Sequence, residues 1–424
     1  MPDFPDKLNS RTQAVVESAR SSGESVPVIV RFTDARSVGD FAQRSAAIGT
    51  HSVNWTYVTV PAIALNADPK GIDALLAMPD VAQVWYDEPV HTMLNSSVPV
   101  IGAPQVWAQF GNRGEGITVA IVDTGIDMNH PDLAGCITFT QDFTNSGTVQ
   151  DGNGHGTHVA STVAGSGAAS GGKYVGVAPG ASIMAARVLA SNGSGSTSGV
   201  MAGVEWAAQN GADVINLSLG SDGSSDGTDA LSTLCNAVVD LGKIVVVAAG
   251  NAGPGAGTVG APGAAAKVIT VGASDDSDRM ASFSSRGPTA DGRTKPDITA
   301  PGVSITAART AGTTLGTPVD ANYTTAQGTS MATPHVAGLC ALLLKQEPGL
   351  LPADVKARLK ATARNLGLPA NDQGSGRIDA LAAVSGNQPA PDPTPGPTPT
   401  PNPTPTPDPV GCLGSVLQLF GLLR

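Results

Sequence analysis

The sequence has few charged residues and no long apolar run. Asp, Glu, Lys and Arg make up 14% of its 424 residues, against roughly a quarter in an average soluble domain. The 24 basic residues form no cluster and the formal net charge is −11, whereas nucleic-acid-binding proteins usually carry a basic footprint. Nucleic-acid binding is therefore disfavoured. No apolar stretch of about 18 residues occurs, so we predict no transmembrane helix.

Cysteine is scarce as well. The four Cys residues are widely spaced, without a CxxC motif or a Cys/His pair at zinc spacing, so we predict neither a zinc site nor a disulfide framework. The first residues lack a basic stretch followed by an apolar one, so no signal peptide is predicted. A cytoplasmic location is the default expectation. An extracellular location follows if a leader precedes this start or if export needs none.

Proline is concentrated near the C-terminus. Every second residue from Pro389 to Pro409 is Pro, usually alternating with Thr, Asp or Asn. This composition predicts an extended linker over residues 387–410. The apolar tail 411–424 is too short to span a bilayer, and we expect it either to fray or to dock on a surface or partner.

Residues 26–94 are predicted to form a small α+β domain, with residues 1–25 as an N-terminal extension. Strand-like and helix-like segments follow the order βαββαβ, which is the ferredoxin-like pattern. The predicted strands are 26–32, 54–60, 62–67 and 81–87, and the predicted helices are 35–48 and 69–78.

From residue 95 to 386, continuous apolar runs alternate with helical segments. Such runs are typical of strands buried on both faces, and they predict an α/β domain with a doubly wound, mainly parallel sheet. Ligands of such sheets bind beyond the carboxyl ends of the strands. The predicted strands are 117–125, 182–189, 212–220, 243–251 and 268–273, and the helices are 155–165, 198–210, 228–241, 330–346 and 353–364.

Polar residues gather where these runs end. Asp123 follows one strand, Asn251 ends another, and His155 and Ser330 each lie where a loop becomes a helix. A Ser hydroxyl needs a base to remove its proton, and a His base needs a carboxylate to orient it. An amide can stabilise the oxyanion that forms. These four residue types favour a serine hydrolase.

Other interpretations are open on the residues alone. An Asp after a strand is often a turn former, and Gly-Thr-Ser before a helix is often only a cap. His158, His335 and His130 lie near the same motifs, and spacing does not choose the base among them. The DTG at 123–125 also fits an aspartic protease, but that chemistry needs a second DTG or DSG motif, and none is present.

Three segments resemble the Asp, His and Ser signatures of the subtilisin-like serine proteases (subtilases), in that family's order. They are IVDTGID (121–127), DGNGHGTHVAS (151–161) and GTSMATPHVAG (328–338), and AAGNAG (248–253) resembles the oxyanion segment. The resemblance spans about residues 100–380. It implies a subtilisin-like fold and a serine endopeptidase that works through an acyl-enzyme without a catalytic cofactor.

The resemblance also implies a role for each residue. Asp123 orients the imidazole, His155 is the general base and then the general acid, and Ser330 attacks the scissile carbonyl. Asn251 and the N–H of Ser330 stabilise the oxyanion. The other His residues of these motifs are assigned to packing.

Further residues match the family's substrate cleft, in which a substrate peptide pairs with two edge strands as a third strand. Small residues at the specificity pocket imply a loose preference for large apolar or aromatic side chains before the cleaved bond. The edge strands are Gly193, Ser194, Gly195 and Ser218, Leu219, Gly220, and the pocket residues are Ala248, Ala249 and Gly250.

Residues 26–94 resemble the family's inhibitory propeptide, which implies a self-processing zymogen inhibited by its own propeptide. Residues 89–94 would lie in the cleft, and we expect self-cleavage after Met93 or Leu94, within two or three residues. The expected partners are protein and peptide substrates, and the expected state is a monomer.

Asp132 matches a carboxylate that binds structural Ca²⁺ in many relatives. Calcium prefers six to eight oxygen ligands, and the segment 165–179 lacks the Asn expected beside Asp132. The acidic loops 222–229 and 275–278 are further candidates for calcium, although solvated loops are the simpler interpretation.

Two other functions share these residues. A peptide ligase or macrocyclase would pass the acyl group to an amine, which requires exclusion of water, and no large insertion near Ser330 could form a lid. An inactive protease-fold scaffold would not need reactive residues at all four catalytic positions. Product mass separates hydrolysis from ligation, and reaction with a fluorophosphonate separates enzyme from scaffold.

Overall fold

The N-terminal part of the chain forms an antiparallel sheet covered by helices. The structure is a computed structural model that describes residues 7–44, 51–87, 89–92, 97–221 and 223–387. The strands of this part are Val26–Phe32 (β1), His51–Tyr57 (β2), Ala62–Ala67 (β3), Val81–Tyr86 (β4) and Pro89–Thr92 (β5). The helices are Ser10–Ser22 (α1), Ala35–Arg44 (α2) and Pro69–Ala77 (α3). From β1 to β4 the elements follow the predicted βαββαβ order, and the strands lie side by side as β2-β3-β1-β4.

Helix α1 was not predicted. It begins after Asn9, whose side-chain oxygen accepts a hydrogen bond from the Thr12 N–H at 2.8 Å. Val16 and Ala19 of this helix are buried in the same core as β1 and α3. The prediction that residues 1–25 form an extension outside the small domain is therefore wrong for this helix. Its sequence, SRTQAVVESARSS, has too few apolar residues to mark a helical face.

The N-terminal sheet buries both of its faces, because successive residues of a strand point to opposite sides. Val28 and Val30 of β1 pack into the core shared with α1 and α3. Ile29, between them, packs into a second core that includes residues from later in the chain. One face of this small sheet is thus a docking surface within the molecule.

A parallel sheet of seven strands forms the centre of the remaining chain. The strands of this sheet and of two smaller sheets are, in chain order, Thr118–Asp123 (β6), Ile137–Asp142 (β7), Ser182–Arg187 (β8), Gly195–Ser196 (β9), Val214–Leu217 (β10), Leu219–Gly220 (β11), Ile244–Ala248 (β12), Ile269–Ser274 (β13), Ile298–Pro301 (β14), Ile305–Ala308 (β15), Thr317–Pro318 (β16) and Tyr323–Ala326 (β17). The central strands lie in the order β14-β13-β12-β10-β6-β8-β7, and every neighbouring pair is parallel.

Helices cover both faces of this sheet. They are Ala103–Phe110 (α4), His155–Ala164 (α5), Thr197–Gln209 (α6), Ala230–Asp240 (α7), Thr329–Gln346 (α8), Pro352–Ala361 (α9), Ala370–Gln373 (α10) and Ala380–Ser385 (α11). Val119 and Ile121 of β6 pack with α4, α5 and α8, whereas Ala120 and Val122 pack with α6 and α7. The predicted doubly wound α/β fold is confirmed. No described helix has both the length and the apolar character needed to cross a bilayer.

Two strands of the central sheet were not predicted from the sequence. Strand β7 lies at the sheet edge, where several of its residues are exposed, so it lacks a continuous apolar run. Strand β14 has only four residues and ends in a Pro. Both lie at the outer ends of the sheet. Strand β7 is partly exposed, whereas β14 is buried throughout but is too short to form a marked apolar run.

The N-terminal sheet contacts α6 through buried carboxylates. Asp87 Oδ1 accepts a hydrogen bond from the Ser198 N–H at 2.6 Å, so it caps the first turn of this helix. Glu205 Oε1 accepts the Val58 N–H at 2.6 Å. Asp87 and Glu205 lie on opposite sides of this interface, and each satisfies backbone donors of the other side.

Candidate active site

Asp123 and His155 form a buried pair at the carboxyl end of the central sheet. Asp123 is the last residue of β6, and His155 is the first residue of α5. The His155 Nδ1 atom lies 2.7 Å from Asp123 Oδ1, and both side chains have no solvent exposure. Because a carboxylate accepts hydrogen bonds, Nδ1 carries the proton, which makes Nε2 the basic nitrogen.

Asp151 supports this pair, although the sequence motifs did not predict a role for it. One of its oxygens accepts the Thr124 hydroxyl at 2.9 Å and the Gly154 N–H at 2.8 Å. The other accepts the Thr157 N–H at 2.9 Å and the Thr157 hydroxyl at 2.7 Å. Asp151 therefore links the residue after Asp123 to the start of α5. An Asp shortly before a helical His is a cap signal that could have identified it.

Ser330 lies in the first turn of α8 and is fully buried. Its hydroxyl donates a hydrogen bond to the Ser218 carbonyl oxygen at 2.7 Å. The family resemblance predicts that this proton goes to His155. In this state the single hydroxyl proton is directed at Ser218 instead, so transfer to His155 first requires the hydroxyl to turn.

The Asn251 side chain is oriented by the start of α8. Its Oδ1 accepts both the N–H and the hydroxyl of Thr329 at 3.0 Å. Because both contacts use the oxygen, the amide nitrogen is the end that remains as a donor. A donor amide beside the residue that precedes Ser330 is what an oxyanion site requires.

The two edge strands are present, with one of them shifted along the chain. β5 lies antiparallel between β9 and β11, and Val90 pairs with Gly195 while Thr92 pairs with Leu219. The predicted strand 193–195 is thus corrected to Gly195–Ser196.

Gly193 and Ser194 instead form a turn with Ala190. The Gly193 N–H donates to the Ala190 carbonyl at 2.9 Å, and the Ala190 N–H donates to the Ser194 carbonyl at 2.8 Å. The family resemblance predicts that residues 89–94 lie in this cleft. Pairing extends over 89–92, and Met93 and Leu94 lie outside the described residues.

The predicted pocket residues lie at the end of β12. Ala248 and Ala249 are buried, and the Gly250 N–H donates to the Thr329 hydroxyl at 3.2 Å. Gly250 has a φ of 106°, a left-handed conformation that favours Gly. A Cβ there would lie 2.8 Å from Ser285 Oγ, so only Gly fits this position without a shift.

The other three His residues near the motifs are occupied by backbone contacts. His158 Nε2 donates to the Ile305 carbonyl at 3.2 Å, and His335 Nδ1 donates to the Met331 carbonyl at 2.7 Å. Burial lowers the pKa of His158 to about 3 and that of His335 to about 4. His130 Nε2 donates to the Asn322 carbonyl at 2.8 Å. These contacts support His155 as the base.

The surroundings of Asp132 do not fit a calcium ligand. Its Oδ1 accepts the Ala169 N–H at 2.9 Å, and its Oδ2 accepts the Tyr323 hydroxyl at 2.7 Å. Donors thus face both oxygens, where a cation would need to be. Within the described ranges, no group of three or more His, Cys, Asp or Glu side chains could hold a metal ion.

The chain is similar to known proteins over most of its length. The family model described as the subtilase family matches residues 114–377. The chain is 40% identical to the serine protease AprX of Bacillus subtilis over 75% of this chain and 78% of AprX. It is 39% identical to subtilisin E of the same species and 38% identical to subtilisin J of Geobacillus stearothermophilus, in both cases over 87% of this chain and 93% of the relative.

The chain therefore belongs to the subtilase family and is a serine endopeptidase. Subtilases in general need no catalytic cofactor.

Proposed function

We propose that Asp123, His155 and Ser330 form the catalytic triad. The Asp123–His155 contact of 2.7 Å carries this assignment, because it is a fully buried imidazole–carboxylate pair in which Nδ1 is the donor. His155 Nε2 takes the Ser330 proton as the hydroxyl attacks the scissile carbonyl, and it returns that proton to the leaving amine. Asp123 stabilises the imidazolium that forms in between.

The developing oxyanion is stabilised by Asn251 and the Ser330 N–H. The orientation of the Asn251 amide supports this role, because Thr329 occupies its oxygen. The Ser330 N–H belongs to the first turn of α8, where N–H groups lack partners within the helix. The small residues Ala248, Ala249 and Gly250 favour large apolar or aromatic side chains before the cleaved bond.

The chain is made as a self-inhibited zymogen whose N-terminal domain is the propeptide. Support comes from the pairing of β5 with β9 and β11, since a strand between two edge strands mimics a bound peptide. Cleavage follows Met93 or Leu94, directly after the paired residues. Protein and peptide substrates enter the same cleft once β5 has left it.

Intact mass spectrometry tests the zymogen and the nucleophile together. The full-length protein and its Ser330→Ala variant are warmed side by side and weighed at intervals. We expect the wild type to lose its first 93 or 94 residues while the variant stays whole, because self-cleavage needs the Ser330 hydroxyl. Equal trimming of both proteins would show a contaminating protease. A wild type that stays whole yet hydrolyses peptides would contradict the zymogen proposal.

A further inference from the structure

One carbonyl in helix α8 lacks the usual donor four residues further along its own helix. In an α-helix the N–H of residue i+4 donates to the carbonyl of residue i. The residue four positions after Ser330 is Pro334, which lies inside the helix. Proline has no N–H, so the carbonyl of Ser330 has no donor at this position, and Ser330 is buried.

Ser218 supplies that donor. Its hydroxyl lies 2.7 Å from the carbonyl oxygen of Ser330 and donates to it. In return, the Ser330 hydroxyl donates to the Ser218 carbonyl, also at 2.7 Å. The two residues are 112 positions apart in sequence, and both are fully buried. A reciprocal pair of hydrogen bonds thus joins α8 to the loop between β10 and β11.

The contact continues into the central sheet. A hydroxyl has a single proton, and Ser218 uses it at Ser330, so Ser218 Oγ accepts a hydrogen bond from its other neighbour. That neighbour is Asn216 Nδ2, at 2.9 Å. Asn216 is buried in β10, between β6 and β12. Within the described part of the chain its Oδ1 has no donor, so the chain of hydrogen bonds begins at Asn216.

We propose that Asn216 and Ser218 are positioning residues that hold the nucleophile in register with the substrate. The carbonyl freed by Pro334 lets the Ser218 side chain bind the backbone of Ser330. Ser218 directly precedes β11, the edge strand that pairs with β5. One residue therefore connects the strand that aligns a peptide with the backbone of the group that attacks it. This inference rests on the proposed role of Ser330.

The loss of this tie is expected to change kcat more than KM. Ser218→Ala removes the hydroxyl but keeps the backbone and the β11 pairing, so peptide binding is retained. The Ser330 carbonyl is left buried without a donor, and we expect kcat to fall about tenfold, an effect of the size of one buried hydrogen bond. Asn216→Ala should lower kcat in the same direction by a smaller factor.

Pro334→Ala makes the test specific. Alanine restores the N–H that can donate to the Ser330 carbonyl within the helix. In the Pro334→Ala background we therefore expect Ser218→Ala to lower kcat by no more than about twofold, because the carbonyl already has a donor. A purely structural role of Ser218 would give the same loss in both backgrounds.

The experiment uses the full chain in each variant, with kcat and KM for a peptide substrate and the rate of reaction with a fluorophosphonate. Intact mass gives the processed fraction, to which the rates are normalised. Ser221→Ala is the matched control, since its hydroxyl lies 3.5 Å from the Ala261 carbonyl and away from this network. If Ser218→Ala does not fold, the test uses Asn216→Ala instead. The loss of kcat caused by Asn216→Ala is then compared between the wild-type and the Pro334→Ala backgrounds.

Four outcomes separate the explanations. A fall in kcat that Pro334→Ala relieves supports the proposal. An unchanged kcat, or an increase in KM alone, overturns it, because Ser218 would then act only in substrate binding. An equal loss in both backgrounds also overturns it. A wild type that hydrolyses peptides but whose Ser330 does not react with the probe would overturn the proposed nucleophile itself.

Discussion

At the scale of single residues, the proposed oxyanion site depends on the orientation of one amide. Asn251 is held by two hydrogen bonds from Thr329 to its oxygen. An aspartate at this position keeps an acceptor for Thr329 but has no N–H group to donate. The substitution therefore changes the chemistry of the site with little change in its shape.

We predict that Asn251→Asp lowers kcat about 100- to 1000-fold, the effect of losing one oxyanion donor. KM should change little, because the backbone pairing of the substrate does not involve this side chain. Steady-state kinetics with a peptide substrate measure both constants. Asn210→Asp, an exposed amide at the end of α6, is the control, and an unchanged kcat in Asn251→Asp would refute the assignment.

At the scale of secondary-structure elements, the cap that Asp87 provides for α6 depends on pH. Burial raises the pKa of Asp87 from 3.8 to about 6. Glu205 and Tyr57 are the neighbouring titratable groups at this interface. The folded state thus binds this proton more tightly than the unfolded state. The resulting stabilisation is complete below the unfolded pKa and is lost as the pH rises through the folded pKa.

We therefore predict that Asp87 contributes more to the free energy of unfolding as the pH falls from 7 to 5. The free energy of unfolding, relative to an Asp87→Asn variant, should increase by about 1 kcal/mol over this range. Denaturant unfolding of both proteins in the Ser330→Ala background, which prevents self-cleavage, measures this difference. Asp68→Asn is the control, because it alters the cap of helix α3 in the same N-terminal part of the chain. A difference that shrinks at pH 5 would contradict the prediction.

The contact between Tyr323 of β17 and Asp132 is a second link between elements. It joins the β15-β17-β16 sheet to the short 3₁₀ helix Pro131–Leu133, which contains Asp132. Through the Ala169 N–H it also reaches the 3₁₀ helix Ala168–Ser170. Both oxygens of the Asp132 carboxylate thus accept hydrogen bonds from the protein, in the place where a cation would otherwise bind.

We predict that Tyr323→Phe destabilises the protein by about 1–3 kcal/mol, because a buried carboxylate oxygen loses its donor. Thermal unfolding in the Ser330→Ala background measures the change, with Tyr174→Phe, a partly exposed neighbour in ring contact with Tyr323, as the control. Added Ca²⁺ should not restore the variant's stability. Restoration by Ca²⁺ would show that Asp132 can bind the ion after all.

At the scale of the whole molecule, the strands that the sequence predicts best are those buried on both faces of the sheet. The apolar runs of β6, β10 and β12 identified the central sheet because neither face of these strands meets water. Strand β7 at the edge and the polar helix α1 have no such signal. Asp151 and the direction of the Ser330 hydroxyl depend on contacts with residues 27 and 112 positions away, which local patterns do not reveal.

The position of β5 between β9 and β11 has a consequence for kinetics. β5 belongs to the same chain as the strands it pairs with, so its effective concentration at the cleft is that of a tethered ligand, on the order of millimolar or above. A dilute substrate competes poorly with such a ligand. Under the proposed zymogen mechanism, scission alone does not expose the cleft, because the docked sheet still holds β5 in place. The lag before activity would then report the dissociation of the N-terminal domain. Dilution would shorten this lag only after the chain has been cut, because a tethered domain keeps its effective concentration at any dilution.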